Sequence, residues 1–189
     1  MLNQFTKNIC AVGVGNILEW YDFAIFGALA DVLGERFFPE HMSGTALIAS
    51  LSLFGSAFFM RPIGGWLMGY VGDNYGRKRA LEVSVITMMI PSFLMGCVPT
   101  FAEIGWASTV CLVVLRLLQG LAVGGEMTGA FVFTIETTNG RNRGVWGAVV
   151  KATGLSGTAL GMGYVAYLRY HLSQQALKRC VLYPVCGMI

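Results

Sequence analysis

At 189 residues, with 55% hydrophobic side chains, 12% charged ones and a mean hydropathy of +0.62, the chain is too apolar for an ordinary soluble domain. Its net charge of +3 comes from a few loops, so no nucleic-acid partner is expected. The five cysteines, Cys10, Cys97, Cys111, Cys180 and Cys186, form an odd set without metal-ligand spacing, which argues against a disulfide framework and against a metal.

Turn and charge signals divide the chain into five candidate helices, each long enough for the roughly 20 residues that cross the hydrocarbon core of a bilayer. The first, about Ile9 to Leu33, carries Asn16, Glu19 and Asp22 and ends before Pro39. With Lys7 in front and Ala28-Leu29-Ala30 behind, it looks superficially like a cleavable signal peptide, but Glu19 and Asp22 fall where such a peptide is apolar. The second, about Thr45 to Val71, is uncharged as far as Met60 and then presents Arg61 directly before Pro62. Arg61 is expected to snorkel or cap near the inner end of its helix. Residues Asp73 to Arg79 separate the second helix from the third, about Ala80 to Val98, which Pro99 ends. The fourth, about Ala107 to Glu136, holds Arg116, Gln119 and Glu126. After Thr137 to Gly144 comes the fifth, about Val145 to Leu168, with Lys151 within two turns of its start and so given the same reading as Arg61. Residues 1–168 thus form one helix bundle, and 169–189 form a divergent C-terminal segment whose apolar stretch from Cys180 is too short to cross.

Glycine is abundant, 25 residues against an average usage of about 7%. Gly65 and Gly69, Gly120 and Gly124, Gly125 and Gly129, and Gly157 and Gly161 are spaced so that two membrane helices can approach at backbone distance. Basic residues set the expected orientation. Lys7, Arg77, Lys78, Arg79, Arg141 and Arg143 fall on one side, and Arg36 is alone in the first two loops of the other. The positive-inside rule therefore puts the N-terminus in the cytoplasm of a multi-pass protein embedded in a lipid bilayer, with the plasma membrane as the expected location.

Ionisable groups inside apolar runs are the strongest functional signal, because a central Arg or Asp costs about 2.5–3.5 kcal/mol on the insertion scale unless it faces a partner or a wet cavity. Glu19 and Asp22 share a helix face with Asn16, while Arg116, Gln119, Val123 and Glu126 fall within an arc of about 80°. Glu19 and Asp22 read either as a proton-carrying carboxylate pair or as ion-pair partners of Arg116 or Arg61, and the two roles are compatible. Arg116 reads either as a two-pronged donor to a substrate carboxylate or as a structural counter-ion. No nucleophile–base or metal constellation occurs, so an enzyme is not expected.

The stretch Gly69-Tyr70-Val71-Gly72-Asp73-Asn74-Tyr75-Gly76-Arg77-Lys78-Arg79 supplies ordered turn and charge residues. Gly69 is expected to let helices approach, Gly76 to adopt a turn conformation that other residues resist, and Asp73 to stabilise a helix N-terminus. This stretch resembles the signature loop between the second and third helices of the major facilitator superfamily. Arg116-Leu-Leu-Gln119-Gly120-Leu-Ala-Val-Gly124-Gly125-Glu126 resembles its fourth-helix motif. With Gly15-Asn16-Ile17-Leu18-Glu19-Trp20-Tyr21-Asp22-Phe23 and Arg61-Pro62-Ile63-Gly64-Gly65, the chain looks like the metabolite:proton symporter branch.

The resemblance implies an all-α transmembrane fold, with about five helices of the N-terminal six-helix half of a carrier that rocks two halves about a midplane site. It implies a small carboxylate or zwitterionic substrate, no cofactor other than the proton as coupling ion, and a C-terminal half in a full-length parent that this chain lacks. Glu19, Asp22, Arg116, Gln119 and Glu126 become candidates for proton coupling or substrate binding. Gly69, Asp73, Gly76, Arg77 and Lys78 become a cytoplasmic gate. The likeness fades after Tyr167, so the chain alone is expected not to transport. One alternative is a truncated membrane protein that binds or interferes with a full-length relative. Another is an exchanger of the same fold, disfavoured because Gly154 to Gly163 lacks a Gly-Pro pair.

Overall fold

The computed structural model describes residues 4–39, 43–138 and 142–173. All regular structure among them is helical: α1 Gln4–Ala28, α2 Ala30–Phe37, α3 Ser43–Tyr75, α4 Arg77–Cys97, α5 Phe101–Ile104, α6 Trp106–Thr137 and α7 Arg143–His171. Six of these pieces account for the five expected crossings, the first of which is divided into α1 and α2, and α5 is a single turn ahead of the fourth.

The first expected helix bends at Leu29, whose φ of −105° and ψ of 15° leave helical geometry. Two backbone bonds still span the bend, with Leu29 N–H donating to Ile25 O and Leu33 N–H to Leu29 O, both at 2.9 Å, while Ala28 O accepts from Arg169 Nη2 at 2.9 Å. The bend keeps Ala30, Val32 and Phe37 buried against the bundle. Ahead of the fourth expected helix, Thr100 and Glu103 form a capping box around the single turn α5, with Thr100 N–H donating to Glu103 Oε2 at 2.9 Å. Gly105, at φ +61°, then redirects the chain into α6.

The expected loop from Asp73 to Arg79 shrinks to one residue. α3 runs through Tyr75 and α4 begins at Arg77, because Gly76 makes the whole reversal at φ +95°. At the other end of the chain, α7 continues past Leu168 to His171. Arg169 in its last turn donates to both Asp31 carboxylate oxygens on α2, at 2.7 and 2.9 Å, so residues 169–171 belong to the bundle. The rest of the divergent segment, from residue 174, lies outside the described residues, as do Arg141, Cys180 and Cys186.

Helix α1 lies along α7, and α6 is flanked by α3 and α4. Backbone contact explains the glycines. A Cβ at Gly64, Gly120 or Gly124 would collide with the main chain of Leu121, Ala57 or Arg61, and one at Gly157 or Gly161 with Ile17 or Tyr21. Gly69 departs from its expected role, since a Cβ there meets nothing within 4 Å; Gly64, about 1.4 turns earlier, makes the close approach instead.

Helices α3, α4 and α6 are long and apolar enough to cross a membrane. At 25 and 29 residues, α1 and α7 run in the same bundle. Large apolar side chains face outward, Phe59 at 82% and Trp66 at 72% exposure among them, while Arg116, Gln119 and Glu19 are buried. This inside-out distribution suits a hydrocarbon solvent, and the chain is an integral membrane protein.

Candidate functional site

Two polar groups occupy the interior. The first joins α1, α4 and α6. Arg116, with 0% exposure, donates from Nη1 to Gln119 Oε1 at 2.7 Å and lies 3.8 Å from Asp22 Oδ2. Gln119 Nε2 donates to Asp22 Oδ2 at 3.0 Å and to Ser92 Oγ at 2.6 Å. Phenylalanine rings surround the guanidinium, with Phe26 at 3.9 Å, Phe23 at 4.4 Å and Phe54 at 5.6 Å from its carbon. Their faces attract the cation that water would otherwise solvate. Among the described residues, Arg116 Nε and Nη2 have no hydrogen-bond partner.

The second group joins α1, α3 and α6. Glu19 is 1% exposed, and the charges acting on it are Glu126 and Arg61. Arg61 sits some 14 residues before the end of α3, about 21 Å along the axis. That is too deep to snorkel. Its guanidinium instead covers Phe58 at 4.2 Å and Phe23 at 4.8 Å, which corrects the expectation of a capping or snorkelling role.

The shared face of Asn16, Glu19 and Asp22 also opens out. Steps of three residues turn a helix by about −60°, so Asn16 and Asp22 point about 120° apart. Asn16 turns to α7, donating to Val150 O at 2.7 Å and Thr153 Oγ1 at 2.9 Å. Asp22 turns to Arg116, and the carboxylate acting on Glu19 is Glu126 rather than Asp22. The carboxylate pair expected within α1 is therefore replaced by one between α1 and α6. Lys151 stays exposed beside Trp20, its ammonium 5.6 Å from the ring.

At the end of the bundle where α3 meets α4, Arg77 Nη2 lies 3.0 Å from Asp73 Oδ1 and Arg77 Nε 3.7 Å from Glu136 Oε1, which ties the turn to the end of α6. Lys78 pairs with Glu82 at 3.7 Å. Asp73 does not cap α4: its carboxylate goes to Arg77, and the N-terminus of α4 at Gly76 has no side-chain cap. An open cleft of about 680 Å³ runs between α1 and α4 over α6, lined by Val14, Leu18, Leu81, Val85 and Glu126, with Lys78 also on its wall.

Sequence reasoning missed Ser92 and Glu136. Ser92 was legible in principle, because Ser84, Met88, Pro91 and Met95 recur at helical spacing on the buried face of α4. Glu136 carries no such signal, since its role depends on where α6 ends beside Arg77.

Residues 7–180 match the family described as Sugar (and other) transporter. The chain belongs to that family. With it comes membership of the major facilitator superfamily, which the loop and fourth-helix motifs resemble. Among curated relatives of this transporter family, the glycine betaine/proline/ectoine/pipecolic acid transporter OusA of Dickeya dadantii is 38% identical over 92% of this chain and 34% of its own length. The proline/betaine transporter of Escherichia coli K12 is 36% identical over 87% and 33%, and the shikimate transporter of the same organism is 36% identical over 82% and 35%. The chain thus spans about a third of the length of the curated relatives it matches. In fold it is similar to the inward-open xylose transporter XylE from E. coli, with a TM-score of 0.81 at 18% identity, covering 97% of this chain and 44% of that one.

Proposed function

We propose that this chain forms the N-terminal part of a proton-coupled symporter in the plasma membrane, with its N-terminus cytoplasmic, which moves a small organic anion or zwitterion by alternating access. The observation that carries the reading is Arg116, buried between phenylalanine rings with two guanidinium nitrogens still free to donate. A planar donor held in that state suits a carboxylate. The relatives whose names specify proline, betaine and shikimate support the same substrate class.

The gate reading rests on Asp73, Arg77 and Glu136, which cross-link three helix ends and must rearrange if a second half docks there. The chain alone is expected to give no uptake, because a cavity between two halves needs both. The test is a chimera in which this chain replaces the matching part of the E. coli proline/betaine transporter. Uptake of labelled proline or betaine driven by an imposed proton gradient, and lost in Arg116→Met, supports the reading. Uptake that survives Arg116→Met, or that ignores the proton gradient, sinks it.

A further inference from the structure

Where α1, α6 and α7 meet, a cavity of about 40 Å³ is lined by Asn16, Trp20, Phe131, Lys151, Gly154 and Thr158, among others. It shares no residue with the Arg116 cluster or with the α1–α4 cleft. One water-sized group needs roughly 10–15 Å³, so the cavity holds the head of a small molecule rather than the whole of one.

Gly154 lets Trp20 stand at this place, because a Cβ there would lie 3.0 Å from the indole Cδ1 and Nε1 and 3.3 Å from Asn16 Nδ2. Asn16 is 4% exposed, and its Nδ2 donates to Val150 O at 2.7 Å and to Thr153 Oγ1 at 2.9 Å. A backbone carbonyl only accepts, which fixes the orientation of the amide. Asn16 Oδ1 is left with no hydrogen-bond partner among the described residues. A buried amide oxygen in that state requires a donor.

Electrostatics select the kind of molecule that can bring one. The Lys151 ammonium stands 5.6 Å from the centre of the Trp20 ring and the Arg61 guanidinium carbon 5.8 Å from it, so two cations already attend one indole. Among the described residues Lys151 has no carboxylate within ion-pair distance, and the charges acting on neighbouring Glu19 are those of Glu126 and Arg61. A quaternary ammonium brought to the ring meets repulsion from both cations and has no N–H to give Asn16. A carboxylate with an adjacent hydroxyl meets neither obstacle: the carboxylate pairs with Lys151, and the hydroxyl donates to Asn16 Oδ1.

We propose that Asn16, Trp20 and Lys151 form a subsite for the head of a small hydroxycarboxylate, and that Lys151 makes the chain selective for such an anion over a quaternary-ammonium zwitterion. As a narrowing of the transported class this rests on the symporter reading; the binding itself does not.

The experiment is a fluorescence titration of the purified chain in lipid nanodiscs, with Trp20 left as the sole tryptophan by Trp66→Phe, Trp106→Phe and Trp146→Phe. Sodium glycolate, sodium acetate and glycine betaine are compared at constant ionic strength. Glycolate is expected to change the Trp20 emission saturably, with a half-effect on the order of 1–10 mM. Acetate, which lacks the hydroxyl, should need about fivefold more, the worth of one hydrogen bond, and glycine betaine more still. Lys151→Gln abolishes the glycolate response and Lys151→Arg retains it, both at an exposed position where folding is expected to survive. Saturation-transfer NMR on the ligand protons gives the same ranking in the chain with all its tryptophans, should the triple replacement fail to fold. The proposal is overturned if glycolate gives no saturable response by either measurement, if Lys151→Gln leaves the response unchanged, or if acetate or glycine betaine matches glycolate. A chimera whose uptake ignores the proton gradient, while this ranking stands, refutes the symporter reading alone.

Discussion

Arg116 is the residue on which the interior of the bundle is organised. It engages Gln119 and Asp22 through one nitrogen while Phe23, Phe26 and Phe54 enclose the rest. Arg116→Met would strand the Asp22 carboxylate with only Gln119 as donor. Breaking a buried pair this way costs about 3–5 kcal/mol, to be read as a lowered unfolding midpoint of the purified chain in mild detergent. Ser92→Ala removes one hydrogen bond from Gln119, a loss of about 0.5–1.5 kcal/mol by the same measurement. The intramembrane charges were plain in the sequence because each interrupts an apolar run. Their pairing was not. Helix periodicity placed Glu19 and Asp22 on one shared face, but only the positions of α3 and α6 decide that one meets Glu126 and Arg61 and the other Arg116.

At the scale of the element, the helix contacts depend on where glycine removes a side chain. Gly124→Leu drives a side chain into the backbone of Arg61 and is expected to leave no folded chain on size-exclusion chromatography. Gly69→Ala, which meets open space, should shift stability by no more than about 0.5 kcal/mol. Gly76→Ala forces an L side chain into φ +95°, at about 1–2 kcal/mol. The spacing of the glycines identified them as packing residues. It could not rank Gly64 above Gly69, because both lie in α3 and only the crossing with α6 distinguishes them. The helix boundaries moved for similar local reasons: a single glycine reverses the chain where a seven-residue loop was expected, and a bend at Leu29 answers to the packing of α2.

For the whole molecule, the charged helix ends set the direction. The Arg77–Glu136 pair lies at the end where α3 meets α4, and the Arg169–Asp31 pair joins α7 to α2 at the other. With the N-terminus cytoplasmic, a single thiol in a cysteine-free background placed at exposed Arg143 should be labelled by a membrane-impermeant maleimide only from the cytoplasmic side. One placed at exposed Glu103 should be labelled only from outside. The reverse pattern would invert the proposed topology.

Hydropathy, the basic loops and the intramembrane charges already determined that this is a helical membrane protein with a polar interior, since each follows from the chemistry of single residues or short runs in lipid. Which charges neutralise one another is a different kind of fact. It depends on the crossings of α1, α3 and α6, which bring residues dozens of positions apart into one low-dielectric space, and there the tertiary structure alone set Arg116 against Asp22 and grouped Glu19 with Glu126 and Arg61.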